Sequence, residues 1–396
     1  MSRIVSTKYG KIKGYERNCI IEYLGIPFAK PPIGDLRFKR AQEIEPWDNI
    51  FDASKYGQKS IQLENGKTVG SEDCLTLNIQ LPVKGENFPV LVWIHGGGYN
   101  TGAASDSLTD GISFVKEGIC YVSIQYRLNV LGFYDFSTYK YCENFDSNCG
   151  LSDQILALKW VHENISSFGG DPNNVTIMGE SAGGASVINM LAIPAVKGMF
   201  NKAIIQSGLP NCVMTHKMAR ENIDLFIEGM GWTEEDLTKL KNIDPAEVQK
   251  GNTYVSNKNQ YKNPGIFLPC PIQDDLIPER PIDAIKKGSA KRVKILIGTN
   301  LNEGNMFVHP ENTGFPNSWK MIEEMFIKNA NEKDYLSIKE YYEKFGDNAF
   351  NEFATDYAFQ MPSIKLALYQ KEYEDVYMYK FNYISNFGKK SGLPCF

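Results

Sequence analysis

Val175-Thr176-Ile177-Met178-Gly179-Glu180-Ser181-Ala182-Gly183-Gly184 is the stretch that decides the fold. The first four residues are apolar and β-prone. Ala185 to Ala192, after the glycines, is small and then apolar at helical spacing. A strand, a tight turn and a helix around Gly-x-Ser-x-Gly form the context of a nucleophile elbow. The turn places its serine in a strained backbone conformation, and small residues two positions to either side let helix and strand pass closely. An ordinary glycine-rich turn is the bland alternative, and it does not require this flanking pattern.

A second stretch supports the same chemistry. Val90-Leu91-Val92-Trp93-Ile94 reads as a buried strand and runs into His95-Gly96-Gly97-Gly98-Tyr99. Three glycines free the backbone to aim N–H groups at an oxygen that becomes negative in the transition state. A phosphate cradle would instead want Lys-Ser/Thr after the glycines, and here an aromatic follows. The expected donors are the N–H groups of Gly97 and Gly98, joined by that of Ala182, the residue after the nucleophile.

Other motifs extend this pattern over nearly the whole chain. Tyr23-Leu24-Gly25-Ile26-Pro27-Phe28-Ala29-Lys30-Pro31-Pro32 with Leu36-Arg37-Phe38, and Ser71-Glu72-Asp73-Cys74-Leu75-Thr76-Leu77-Asn78, lie before the glycines. Gln125-Tyr126-Arg127-Leu128, Gly150-Leu151-Ser152-Asp153-Gln154 and Phe168-Gly169-Gly170-Asp171-Pro172 lead into the elbow. In content and order these resemble the type-B carboxylesterases, the α/β-hydrolase group that includes the cholinesterases. The resemblance implies an α/β fold with a mostly parallel central sheet and helices on both faces. It implies an ester hydrolase working through a serine and an acyl-enzyme, with a small-molecule ester as partner and no metal or organic cofactor. It also implies an ion pair between Arg37 and Glu72.

The 396 residues are 42% apolar and 22% charged, with a net charge of −5. That is an ordinary globular composition. It offers no basic patch for nucleic acid, and no apolar run approaches the roughly 20 residues of a membrane span. The start, Met1 to Lys8, lacks the apolar core of a signal peptide. Eight cysteines are scattered without zinc-type spacing. Secreted members of the resembled family bridge the cysteine of the second signature, here Cys74, to one upstream, and Ser60 stands at that upstream position. A cytoplasmic location is expected, because reducing conditions would open such a bridge.

Strands are expected at 91–94, 120–125, 175–178, 202–206 and 293–297, as continuous apolar runs suited to strands covered on both faces. Helices are expected at 153–164 and 182–191 and broadly over 317–374. The charged region 214–261 reads as a helical excursion near the active-site mouth. One domain over 1–396 accommodates all of this, without the helices that usually follow in the family.

A serine hydroxyl needs a base, and the base needs a carboxylate, in the chain order Ser, Asp/Glu, His. Glu303 follows the strand Val293-Lys294-Ile295-Leu296-Ile297 in Asn300-Leu301-Asn302-Glu303-Gly304, a context that resembles the family's acid. A solvated loop carboxylate is the alternative.

The histidine is harder to place. His95 is read as shaping the glycine loop, and His162 as the solvent face of a helix. His216 precedes Glu303, and His309 follows it too closely. The family's base lies just beyond an aromatic strand, which Val376–Tyr383 resembles, and no histidine follows there. If Pro394 is encoded CCA, advancing the frame by one base yields a histidine codon, and Lys389-Lys390 offers an adenine run for slippage. A frameshift is therefore one expectation for the tail. A catalytically silent, esterase-like binding protein is the other reading, and a hydrolase using His216 or His309 is a third. Removing the histidine of a serine triad costs about 10⁶ in kcat in the best-studied case.

The loop between Ser60 and Cys74 carries no tryptophan to act as a cation–π platform for a choline head. Uncharged short-chain or aryl esters in an apolar gorge are expected, with Tyr99 as a candidate lining residue.

Overall fold

The computed structural model describes residues 2–259, 265–308, 314–327 and 332–384. His309 and the tail residues of the frameshift expectation lie outside that range. The long strands in chain order are β1 (Ser2–Ser6), β2 (Lys11–Arg17), β3 (Ile20–Pro27), β4 (Thr76–Pro82), β5 (Phe88–Ile94), β6 (Cys120–Ile124), β7 (Gly170–Glu180), β8 (Lys202–Gln206), β9 (Lys294–Asn300) and β10 (Val376–Phe381). They form one sheet in the order β1-β2-β3-β4-β6-β5-β7-β8-β9-β10, with Phe51–Asp52 pairing beside β2.

From β6 to β10 every neighbouring pair is parallel. From β1 to β6 every pair along the path is antiparallel. The sheet is therefore mixed, with a parallel half that carries the elbow and an antiparallel half at the N-terminal side. This refines the expected mostly parallel sheet. β2 (Lys-Ile-Lys-Gly-Tyr-Glu-Arg) alternates buried with wetter positions, as an antiparallel strand with one solvated face does.

The parallel strands are covered on both sides. On β5, Val90, Val92 and Ile94 join the main core, while Leu91 and Trp93 join a second cluster with Tyr121 and Val115. Alternate residues of a strand point to opposite faces, so both faces of β5 are packed. Each buried side chain of this size contributes roughly 1.5–3 kcal/mol, which explains why these runs are continuously apolar.

Four helices bear on the site. α1 (Cys149–Asn164) and α2 (Ala182–Ala192) flank the parallel strands; α3 (His216–Met230) and α4 (Val248–Asn259) form the excursion with a 3₁₀ segment, Glu234–Lys241, between them. The expected helical stretch over 317–374 resolves into Trp319–Ile327, Glu332–Tyr342, Ala349–Ala354 and Met361–Lys371. Among the described residues, no helix is long and apolar enough to cross a membrane.

Two ion pairs lock the scaffold. Arg37 and Glu72 meet as expected, with side chains only 11% and 13% exposed. Arg127 and Asp153, a pair not anticipated, are buried completely, with Nη2–Oδ1 at 2.6 Å and Nε–Oδ2 at 2.9 Å. Asp153 also accepts from the Arg127 backbone N–H at 2.9 Å, so α1 is fastened to the segment leaving β6.

Candidate active site

The elements that matter converge on one edge of the sheet. β5 ends at Ile94 and runs into the glycines, β7 ends at Glu180, β8 ends at Gln206 and β9 at Asn300. All four are parallel neighbours, so their carboxyl ends open on the same side. That is where ligands bind in open α/β sheets.

Ser181 sits between the last residue of β7 and the first of α2, with φ 54° and ψ −120°. A residue with a Cβ rarely adopts that region, and such strain persists only where surrounding structure enforces it. Here the Ser181 N–H donates to Gln206 O at 2.9 Å. Helix and strand cross so closely that a Cβ on Gly183 would lie 2.0 Å from Ile94 O. The expected elbow is therefore present, and the glycine at 183 is a steric requirement.

The triple-glycine turn lies against this serine. A Cβ built on Gly96 would fall 3.3 Å from Ser181 Cβ and 2.9 Å from Glu180 Oε2. Gly97 has φ +102°, and any side chain there would meet Thr101 O at 2.3 Å. Among the described residues, the N–H groups of Gly97, Gly98 and Ala182 donate to no protein acceptor. An unpaired N–H in the first turn of α2 is inherent to a helix. Two more on a neighbouring turn make three donors within one small region.

Glu303 is 3% exposed. Its Oε1 accepts from the Asn300 N–H at 2.8 Å, and its Oε2 from Asn300 Nδ2 at 3.3 Å. Asn300 Nδ2 also reaches Ser207 Oγ at 3.3 Å, which ties the loop of Glu303 to the end of β8. The aromatic strand β10 delivers the chain to the same edge, since Leu301 N donates to Phe381 O at 3.0 Å.

No histidine among the described residues hydrogen-bonds Ser181 or Glu303. His95 is 3% exposed and stacked on Tyr126. His162 is half-buried on α1, and His216 is exposed as the first residue of α3.

Tyr99 departs from expectation. It is fully buried, its ring centroid is 4.5 Å from that of Phe133, and its hydroxyl accepts from Ser186 Oγ at 3.2 Å. It packs the loop onto α2 and does not line an open pocket. The cavity beside the loop, of about 500 Å³, is lined by Gly96, Gly97, Gln62, Lys59, Asp106 and Glu180 among others. Trp93 and Ala103 share that lining with the polar and charged residues, and Ser181 is not part of it.

Sequence reading passed over Glu180, the variable residue of the elbow motif. Burial, and then the nearby Glu303 carboxylate, push its carboxyl up to about 7. A carboxylate in the variable position of Gly-x-Ser-x-Gly was the available signal. The excursion reaches the site too: Asn252 Nδ2 on α4 donates to Asn100 Oδ1 at 2.8 Å, and Asn100 Nδ2 donates to Gly98 O at 3.0 Å.

Comparison with known proteins agrees with this geometry. The Carboxylesterase family model matches residues 1–394. A para-nitrobenzyl esterase of Bacillus subtilis is 36% identical over 96% of this chain and 78% of its own length. An acetylcholinesterase of Danio rerio is 36% identical over 77% of this chain and 52% of its own, so the chain spans about half of that relative. A solved PNB esterase superposes with a TM-score of 0.87 at 34% identity, covering 99% of this chain and 86% of its own. A carboxylesterase of Geobacillus stearothermophilus superposes at 0.79 and 30% identity, covering 96% and 80%. A strained serine elbow facing a triple-glycine turn, in a fold shared along nearly the whole length, admits one assignment: the chain belongs to the carboxylesterase family.

Proposed function

We propose that this carboxylic ester hydrolase acts through Ser181, whose hydroxyl attacks the ester carbonyl to give a tetrahedral adduct and then an acyl-enzyme. The N–H groups of Gly97, Gly98 and Ala182 receive the oxyanion, in a setting where losing one donor costs about 10²–10³ in rate. Glu303 is the carboxylate that orients the base. Its two hydrogen bonds from Asn300 hold it in place. The alcohol leaves, and water repeats the attack on the acyl group.

The observation that carries this reading is the 3.3 Å approach of the Gly96 Cβ position to Ser181 Cβ. It puts the nucleophile beside free amide donors. A silent binding protein would give no physical reason for a strained serine there, and the named relatives are esterases.

Family membership makes the substrate a small-molecule ester. Within that class the reading is an uncharged short-chain or aryl ester, and a para-nitrobenzyl ester is a natural first assay. The intracellular location belongs to the same proposal. Its support is that Ser60 stands by the Cys74 thiol, which burial pushes up to about 12, where secreted relatives are expected to carry a bridge. Hydrolysis of para-nitrophenyl acetate by the native chain and by Ser181→Ala tests the function: turnover should be lost in the variant, and equal rates would refute it.

A further inference from the structure

The carbonyls of the glycine turn are each held from within the protein. Gly97 O accepts from the backbone N–H groups of Asn100 and Thr101, both at 3.0 Å, and Gly98 O accepts from Asn100 Nδ2 at 3.0 Å. Gly96 O is different, because it lies 2.9 Å from the Nδ1 of a ring, that of His95. A carbonyl only accepts, so Nδ1 must carry the proton, and a neutral imidazole then leaves Nε2 bare.

In a trans peptide the C=O and the following N–H point in opposite directions. Fixing Gly96 O therefore fixes the direction of the Gly97 N–H, just as fixing Gly97 O sets that of Gly98. Two backbone N–H groups of the turn, with Thr101 Oγ1 at 3.3 Å beside them, secure the second donor. The first depends on one side chain.

That side chain is itself immobilised. Its ring lies 4.3 Å from the Tyr126 ring at 18°, and Tyr126 Oη donates to His95 O at 2.7 Å. Nε2 is buried and has no protein partner among the described residues, so the ring is held by the stack and by the single bond from Nδ1. Burial pushes the imidazole down to about 4, so it remains neutral at ordinary pH and its one proton stays at Nδ1.

We propose that His95 is a positioning residue, which holds the Gly96–Gly97 peptide so that the Gly97 N–H faces the Ser181 side and is aimed before substrate arrives. The inference rests on the reading of Gly97 as an oxyanion donor. It assigns His95 a role in the chemical step while excluding it as the base: its bare nitrogen is sealed in the interior, and its protonated one is committed to Gly96. A preorganised donor acts on the transition state, so its loss appears in kcat and not in KM.

Two variants and one spectrum test this. His95→Phe keeps a ring against Tyr126 but removes the donor; kcat for para-nitrophenyl acetate should fall about 10²-fold with KM unchanged. His95→Asn returns an N–H near the Nδ1 position and should recover most of the loss. A merely structural role would move the melting temperature of both variants and leave the ratio of their kcat values near one. His95→Phe turning over at the native rate would overturn the proposal. Ser181→Ala retaining native turnover would instead sink the esterase reading itself, so the two failures are distinct. Should His95→Phe not fold, ¹⁵N NMR of the native chain decides: Nδ1–H with an unprotonated Nε2 at pH 7 is expected, and the Nε2–H tautomer or an imidazolium overturns it.

Discussion

Arg37 grips Glu72 side-on, Nε to Oε2 at 2.7 Å and Nη2 to Oε1 at 2.5 Å, while its Nη1 donates to Leu240 O at 3.1 Å and Ile243 O at 2.8 Å. One guanidinium thus joins the N-terminal region, the second signature and the helical excursion that touches the glycine loop. The planar fork satisfies carboxylate and carbonyls together, which a lysine could not do.

Arg37→Met should therefore cost about 3 kcal/mol, toward the lower end for a broken buried pair because both partners keep slight exposure. Urea unfolding would show it as a lowered midpoint. A variant with the native midpoint would mean the pair is solvated in solution.

Glu180 supplies a pH test. Its carboxyl stands at about 7 in the fold against 4.5 for the free side chain. Between those values the native state holds a proton that the unfolded state has released. Stability from this group is therefore full below about pH 4.5 and is lost as pH rises toward 7. Glu180→Gln removes the ionisation and should raise the melting temperature at pH 8 but not at pH 4.5. Equal shifts at both values would contradict a buried, raised carboxyl.

Ser60→Cys tests the reading of the missing bridge. Cys74 is fully buried with Ser60 beside its thiol, so a second thiol there should oxidise to a disulfide. Closing a loop of this size contributes about 3 kcal/mol in the chain-entropy account, less the bond that Ser60 Oγ accepts from Leu128 N at 3.2 Å. Peptide mapping without reductant should find the cross-link. Two free thiols after air oxidation would mean the positions are not paired.

Glu303→Gln should lower kcat while leaving the fold intact, since a neutral amide orients a base less well than a carboxylate does. The Asn300 N–H and Nδ2 both donate into the native carboxylate, and a glutamine would turn an NH₂ toward one of them. Unchanged kcat would remove Glu303 from the mechanism.

Where the chain is covered on both faces, sequence reading came close. Lys202–Gln206 appears as expected to the residue, and Ala182–Ala192 ends one residue later. Buried parallel strands are continuous apolar runs, and an elbow leaves glycines where nothing larger fits. The antiparallel strands β1 to β4 were passed over, because half-solvated strands such as Lys11–Arg17 intersperse charges and mimic loops. Around the candidate site, the elbow at Ser181, the glycine turn and the post-strand position of Glu303 were legible because their sequence signals are local. Glu180 was not, since its raised carboxyl arises from burial and from Glu303, which is distant in sequence. Nor was Tyr99's burial, which depends on Phe133 and Ser186.

The most direct test of the central claim is labelling with a fluorophosphonate, followed by peptide mapping. Phosphonylation needs an activated serine and a hole for the developing P–O⁻, and nothing from the ester itself. Modification on the peptide carrying Ser181, absent from Ser181→Ala and slowed by about 10²–10³ when the Gly97 donor is displaced, is the predicted result. An unlabelled Ser181, or a label on another residue at equal rate in Ser181→Ala, would contradict it.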